Sequence, residues 1–164
     1  MENGVGICPL CGNKGKSVLL KTINSLVKSE KLKSLQSPDG FYFCPTPNCV
    51  AAYFNPQSGE LISVQDVKVE IYQKSKAPER TVCYCFNHTV KEILEDYKKH
   101  GRSKLVKEIA EKCSSGLARC EETNPQGSCC LGNIQKLIEE TFQKTLGITT
   151  RCCCSKTGNN QCCQ

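Results

Sequence analysis

The chain has 164 residues, of which 15 are cysteine, with 38% hydrophobic and 6% aromatic residues, no tryptophan and a formal charge of +6. Cysteine at roughly a tenth of a short chain marks either a disulfide scaffold or a metal protein. The length admits two small modules of about 75 residues, a size at which a core alone is barely enough and cross-links help. No apolar run reaches the ~18 residues of a membrane-spanning helix. The N-terminal MENGVGICPLCGNKGK shows neither the apolar segment nor the cleavage site of a secretory signal. The odd cysteine count and the adjacent Cys129-Cys130, Cys152-Cys153-Cys154 and Cys162-Cys163 argue against paired disulfides. A cytoplasmic, reducing setting is expected, where cysteine clusters bind metal more often than they oxidise.

In chain order, Leu19 to Leu35 mixes apolar and Lys/Ser positions and predicts one short helix. Phe41–Phe43, Val50–Phe54 and Leu61–Val64 read as short strands. Val67, Val69 and Ile71 alternate and predict a fourth strand, Val67–Tyr72. Pro56–Gly59 reads as a hairpin turn. The polar stretch QKSKAPERT is a linker. Beyond it the pattern is helical with no sheet signal. Asn87 is placed to cap a helix bearing Val90, Ile93, Leu94 and Tyr97 on one stripe, ended by Gly101. Ser103 caps a second helix with Val106, Ile109, Ala110 and Cys113 inward. A third runs from Leu131 to Leu146, with Gly147 as its stop. The fold class expected is α+β, with a mixed module over 1–78, a helical module over 79–147 and a cysteine-rich, disordered tail over 148–164.

Cys8-Pro9-Leu10-Cys11-Gly12 has the form of a metal knuckle, and Cys44 and Cys49 supply a second pair. Four thiolates suit tetrahedral, structural zinc with no open position. The alternative is four buried or free thiols. Zinc contributes about 10–16 kcal/mol to folding in small modules, more than so thin a core supplies.

Cys83-Tyr84-Cys85 is too closely spaced for a zinc knuckle. On extended backbone, residues i and i+2 point the same way, so both sulfurs are able to hold one iron of a 2Fe–2S cluster. Cys120 with Cys129 or Cys130, at a helix start where the dipole favours a thiolate, would hold the other. A second zinc ion on these cysteines is the alternative. Each such four-thiolate centre carries a net charge of −2, which lowers the chain from +6 to about +2 and weakens any nucleic-acid reading.

CYCFNHTVKEIL followed by CEETNPQGSCCLGNI resembles the ferredoxin domain of the bacterioferritin-associated ferredoxin (BFD-like) family. Together with CPLC and FYFCPTPNC upstream, the chain resembles the N-terminal half of the archaeal CopZ-type copper chaperones over residues 6–147. The resemblance implies a zinc module followed by a 2Fe–2S module. It assigns Cys83, Cys85 and Cys120 to the cluster, with Cys130 chosen over Cys129 as fourth ligand. It also implies one-electron transfer or copper handling, with a redox partner or metal-transport protein such as a separate copper-carrying domain or ATPase. Two departures stand out. The second pair is spread over CEETNPQGSCC rather than compacted, and the M-x-C-x-x-C loop of a copper-carrying domain does not occur, the only Met being Met1.

Cys113 reads as a buried filler. The tail cysteines Cys152, Cys153, Cys154, Cys162 and Cys163 are soft ligands able to hold Cu(I) transiently. His88 is expected exposed in a first helical turn and His100 at a helix C-terminus. No nucleophile–base pair, phosphate loop or paired-carboxylate motif points to an enzyme, metal-ion reduction aside. A non-redox sensor or interaction module, whose cluster or zinc is structural, is the competing function.

Overall fold

The computed structural model describes residues 6–37 and 39–143. The chain forms two compact units: residues up to Lys76 together with Glu121–Gly127, and residues 77–120 together with those from Ser128 onward. The architecture is mixed in the first unit and mostly helical in the second. Among the described residues, no helix is long and apolar enough to cross a membrane.

The first unit is built on an antiparallel sheet in the order β1 (Lys16–Ser17), β2 (Tyr42–Phe43), β3 (Ala51–Phe54), β4 (Leu61–Ser63). All four residues of β3 are buried, so both sheet faces are covered. A bulge between Ala51 and Tyr53 shifts the register against β4. Strict alternation would place Ala51 beside Tyr53; the bulge lets Ala51 join Phe54 near the cysteines, while Ala52 and Tyr53 face the main core. That core holds Ile23, Leu26, Val27, Phe43, Tyr53 and Ile62.

The single helix expected over Leu19–Leu35 is instead two, α1 (Leu20–Leu26) and α2 (Ser29–Ser34). Val27 and Lys28 between them are extended. Val27 is fully buried and bridges Val67, and Lys28 N–H donates to Asp66 O at 2.8 Å, so tertiary pairing overrides helical propensity. The same pairing accounts for the strand expected at Val67–Tyr72. Its alternation is one-sided burial of Val67 and Ile71 along an irregular segment, which makes a single bridge and then a 3₁₀ turn at Tyr72–Lys74. Pro56–Gly59 is a turn as expected, with the Asn55 side chain accepting from the N–H of Gln57 and Ser58.

Glu121–Gly127 belongs to this first unit. The Thr22 hydroxyl donates to Glu121 O at 2.5 Å and the Tyr53 hydroxyl to Pro125 O at 2.6 Å. Gln73 Nε2 donates to Gln126 Oε1 at 2.7 Å, and Lys21 pairs with Glu121.

The second unit opens with a two-stranded hairpin that its helical pattern did not announce, β5 (Thr81–Cys83) against β6 (His88–Thr89). Helices α3 (Val90–His100), α4 (Lys104–Ser114) and α6 (Leu131–Phe142) follow; the short α5 (Cys120–Thr123) lies between the last two in sequence, with Cys120 in this unit and Glu121–Thr123 in the first. Asn87 is not the cap of α3; it sits in the hairpin turn at φ 60°. Thr89 caps instead, in a box with Glu92: Thr89 Oγ1 accepts from Glu92 N–H at 3.2 Å, and Glu92 Oε2 accepts from Thr89 N–H at 2.8 Å. Gly101 at φ 65° ends α3 and Ser103 caps α4, both as expected. The inward stripes meet their expected residues, Val90, Ile93 and Tyr97 on α3, Val106, Ile109 and Cys113 on α4, and Leu131, Ile134 and Ile138 on α6. Helix α6 gives way to a left-handed Gln143 at φ 52°. The Gly147 stop and the tail cysteines lie outside the described residues.

Candidate metal centres

In the first unit the sequence turns twice toward one point. Cys8 N–H donates to Asn13 O and Gly12 N–H to Cys8 O, both at 2.9 Å, closing the first knuckle with Gly12 at φ 72°. The second begins at the end of β2, where Cys44 N–H bonds Ala52 O of β3 at 2.9 Å, and closes through Cys49 N–H to Thr46 O at 3.2 Å. The Sγ atoms of Cys8, Cys11, Cys44 and Cys49 all lie within 4.8 Å of one another. Cys8 and Cys49 are 3.9 Å apart, Cys11 and Cys44 3.7 Å. Four sulfurs about 2.3 Å from one zinc ion stand about 3.8 Å apart, so the set has the dimensions of a tetrahedral zinc site. Cys8, Cys44 and Cys49 are buried under Phe54 and Ala51; Cys11 is half-buried.

Electrostatics divides these thiols. The Thr46 hydroxyl, 3.3 Å from Cys11 Sγ, and the backbone at Asn13 lower the Cys11 pKa to about 6. Burial pushes Cys44 up to about 12 and raises Cys49 as well. Lys74 Nζ donates to Thr46 O at 2.8 Å and Cys49 O at 3.0 Å, fixing the second knuckle with a cation near Cys44. Sequence reasoning passed over both residues. Thr46 carried a weak signal, lying inside CPTPNC; Lys74 carried none, lying in a stretch that reads as linker.

In the second unit the structure brings together the sulfurs expected at a cluster. Cys85 Sγ is 3.2 Å from Cys120 Sγ, and Arg119 N–H donates to Cys85 Sγ at 3.2 Å. Cys83 meets Cys130, and Cys129 meets Cys113, Cys120 and Cys130. The contacts therefore run from the hairpin to α5 and to the start of α6, across the C-x-C pair rather than along it. Cys83, Cys120 and Cys130 are buried; Cys85 and Cys129 are half-buried. The bond from the Cys130 thiol and one to the backbone at Phe86 lower the pKa of Cys83 against its burial. Bonds to Cys113, Cys120 and Cys130 lower that of Cys129, while Cys120 and Cys130 are raised, first by Cys129. Cys113 is buried, as expected, but it also meets the Cys129 thiol, which its place on an apolar stripe did not reveal.

The histidines differ from each other in outcome. His88 is on β6 opposite Cys83, with its side chain 17% exposed, rather than free in a first helical turn. His100 ends α3 with Nε2 3.8 Å from Asp96 Oδ1, as its position suggested.

A family model described as a zinc binding domain, of the CopZ type, matches residues 6–68, the stretch that contains both knuckles. The chain is 32% identical to the N-terminal domain of Archaeoglobus fulgidus CopZ in its X-ray structure, with a TM-score of 0.67, over 79% of this chain and 95% of that one. The chain belongs to the family of the CopZ N-terminal domain. It is also 35% identical over 131 residues to the copper chaperone CopZ of A. fulgidus, spanning 79% of this chain and 60% of that relative's length. The four-cysteine site of this CopZ-type domain is thus a zinc site by geometry and by family. The structural likeness, at 79% of the chain, reaches well past the first unit.

Proposed function

We propose that this CopZ-type domain is the redox half of a copper-handling system, with a zinc staple in the first unit and a 2Fe–2S cluster held by Cys83, Cys85, Cys120 and Cys130 in the second. The observation that carries the reading is the convergence of sulfurs from β5, α5 and the start of α6. A mononuclear site draws its ligand atoms together as the first unit does. Among the described residues, three or more ligand atoms all within 4.8 Å of one another occur at Cys8, Cys11, Cys44 and Cys49 alone. The second unit's sulfurs meet pairwise instead, Cys85 with Cys120 at 3.2 Å and Cys83 with Cys130, an arrangement that suits two irons rather than one. The BFD-like sequence pattern supports the same view.

A bound 2Fe–2S cluster supplies a centre that takes up and gives away one electron. The chain's own groups set its surroundings. Arg119 N–H donates to Cys85 Sγ, and the backbone at Leu131, the first residue of α6, favours the thiolate of Cys129 beside Cys130. Val82, Ile93, Ile109 and Ile134 are fully buried in this unit, whereas Cys85 and Cys129 are half-buried and mark the side from which an electron would leave. The substrate is Cu(II): it gains the one electron that the reduced centre loses and becomes Cu(I), the form that soft thiolates bind. An electron-donor protein supplies that electron, and a copper-carrying domain or transport protein receives the ion.

The test is a single turnover without oxygen. Dithionite-reduced protein, freed of excess reductant, is mixed with Cu(II) in the presence of a Cu(I)-specific chromophore. Reoxidation of the cluster with formation of matching Cu(I) is the expected result. Cluster loss without Cu(I) formation favours the sensor reading instead.

A further inference from the structure

The second cysteine pair is separated by nine residues, far more than two sulfurs need to meet at one iron. The structure gives those residues an occupation. Glu121–Gly127 folds as part of the first unit, beginning one residue after Cys120 and ending just before Ser128-Cys129-Cys130. It is held at its start by the Thr22 hydroxyl on Glu121 O and in its middle by the Tyr53 hydroxyl on Pro125 O. At its end Gly127, at φ 68°, lies so close that a Cβ there would come within 3.2 Å of Thr22 Oγ1 and of Val18 Cγ1. Thr22 and Tyr53 are fully buried, and Asn124 and Gln126 nearly so, which is unusual for a polar stretch that reads as a surface loop.

We propose that Thr22 and Tyr53 are positioning residues for the cluster: by holding Glu121–Gly127 they fix both ends of the segment that carries Cys120 and Cys130. The inference rests on the cluster assignment proposed above. A free segment of this length samples many end-to-end separations, and confining it removes that entropy from the bound site in advance. Tyr53 also sits on β3, one strand from the second knuckle, so the sheet that zinc stabilises is the sheet that holds the segment.

The test uses the full chain, prepared without oxygen and carrying its cluster. Tyr53→Phe keeps the ring and removes only the donor to Pro125; Thr22→Val removes the donor to Glu121. Zinc content, the EPR signal of the reduced cluster and the rate of iron capture by a ferrous chelator are measured together. The expected result is unchanged zinc, an altered EPR signal and, for the double variant, iron release faster by roughly tenfold, from two lost buried hydrogen bonds. Iron release and EPR indistinguishable from the parent overturn the inference. If Tyr53→Phe loses zinc too, Gln126→Ala decides in its place: it alters the segment's own side chain and its bond to Gln73 while leaving the sheet untouched, and the same two outcomes apply. A parent protein lacking iron and acid-labile sulfide overturns the cluster assignment and this inference with it.

Discussion

At the residue scale, Thr46 and Lys74 do for the zinc site what cysteines alone do not. The Thr46 hydroxyl holds Cys11 toward its thiolate, with a pKa of about 6 against an ordinary 9.0. A lowered folded-state pKa contributes stability that is complete above the ordinary value and is lost as pH falls through the lowered one. Cys11 is thus the thiol of the set that gives up its proton to zinc most readily. Thr46→Val takes away the bond and lets the proton compete sooner. Acid-induced zinc release, followed with a chromophoric chelator, is expected to move to higher pH by a fraction of a unit, since one hydrogen bond is lost at one of four ligands. Lys74→Met tests the second knuckle. It keeps the stem and removes the two bonds to Thr46 O and Cys49 O, so zinc is expected to leave faster at constant pH by roughly tenfold. An unchanged rate would show that the knuckle holds its shape without the lysine.

At the element scale, what was readable and what was not divides by distance along the chain. The two knuckles, the caps at Gly101 and Ser103, and the stripes of α3, α4 and α6 rest on neighbours within a few residues, and spacing reports them. The break between α1 and α2 does not, because it is made by Val67, forty residues after Val27. The expected strand at Val67–Tyr72 failed for the same reason: alternation records which side chains are buried, not whether a backbone partner is present. The β5–β6 hairpin is two or three residues per strand, too short for periodicity to register. Thr89-x-x-Glu92 was a legible capping box, overshadowed by Asn87 two residues earlier. Burial works against the Asp96 carboxylate, yet Leu105 N–H at 3.1 Å and Ser103 Oγ at 3.0 Å donate to Oδ2 and hold its pKa below the ordinary value. Asp96 thereby fastens α3 to the start of α4. Asp96→Ala is expected to destabilise the second unit by about 1–3 kcal/mol, read as a lower denaturant midpoint at neutral pH. The contribution disappears in the parent as pH falls through the lowered carboxylate pKa.

At the scale of the whole molecule, the ten described cysteines fall into a set of four and a second set of Cys83, Cys85, Cys120, Cys129 and Cys130, with Cys113 beside it. The first set was legible from CPLC and CPTPNC, because each pair is local. The second was legible in its members but not in its arrangement, since contacts such as Cys85 to Cys120 cross 35 residues. The segment Glu121–Gly127 was not legible at all, because its anchors Thr22 and Tyr53 lie 99 and 72 residues away. Cys44→Ser probes the dependence of fold on metal. A serine hydroxyl is a poor zinc ligand, so the variant is expected to lose zinc and, with it, the near-ultraviolet signature of the aromatic first unit.

The account as a whole stands on two inorganic centres of different kinds in one chain. Metal and acid-labile sulfide analysis of protein purified without oxygen, joined to EPR of the dithionite-reduced sample, tests it most directly. The account predicts about one zinc, two irons and two sulfides per chain and a one-electron signal that appears on reduction and vanishes on reoxidation. A colourless protein with two zinc ions and no sulfide would contradict it.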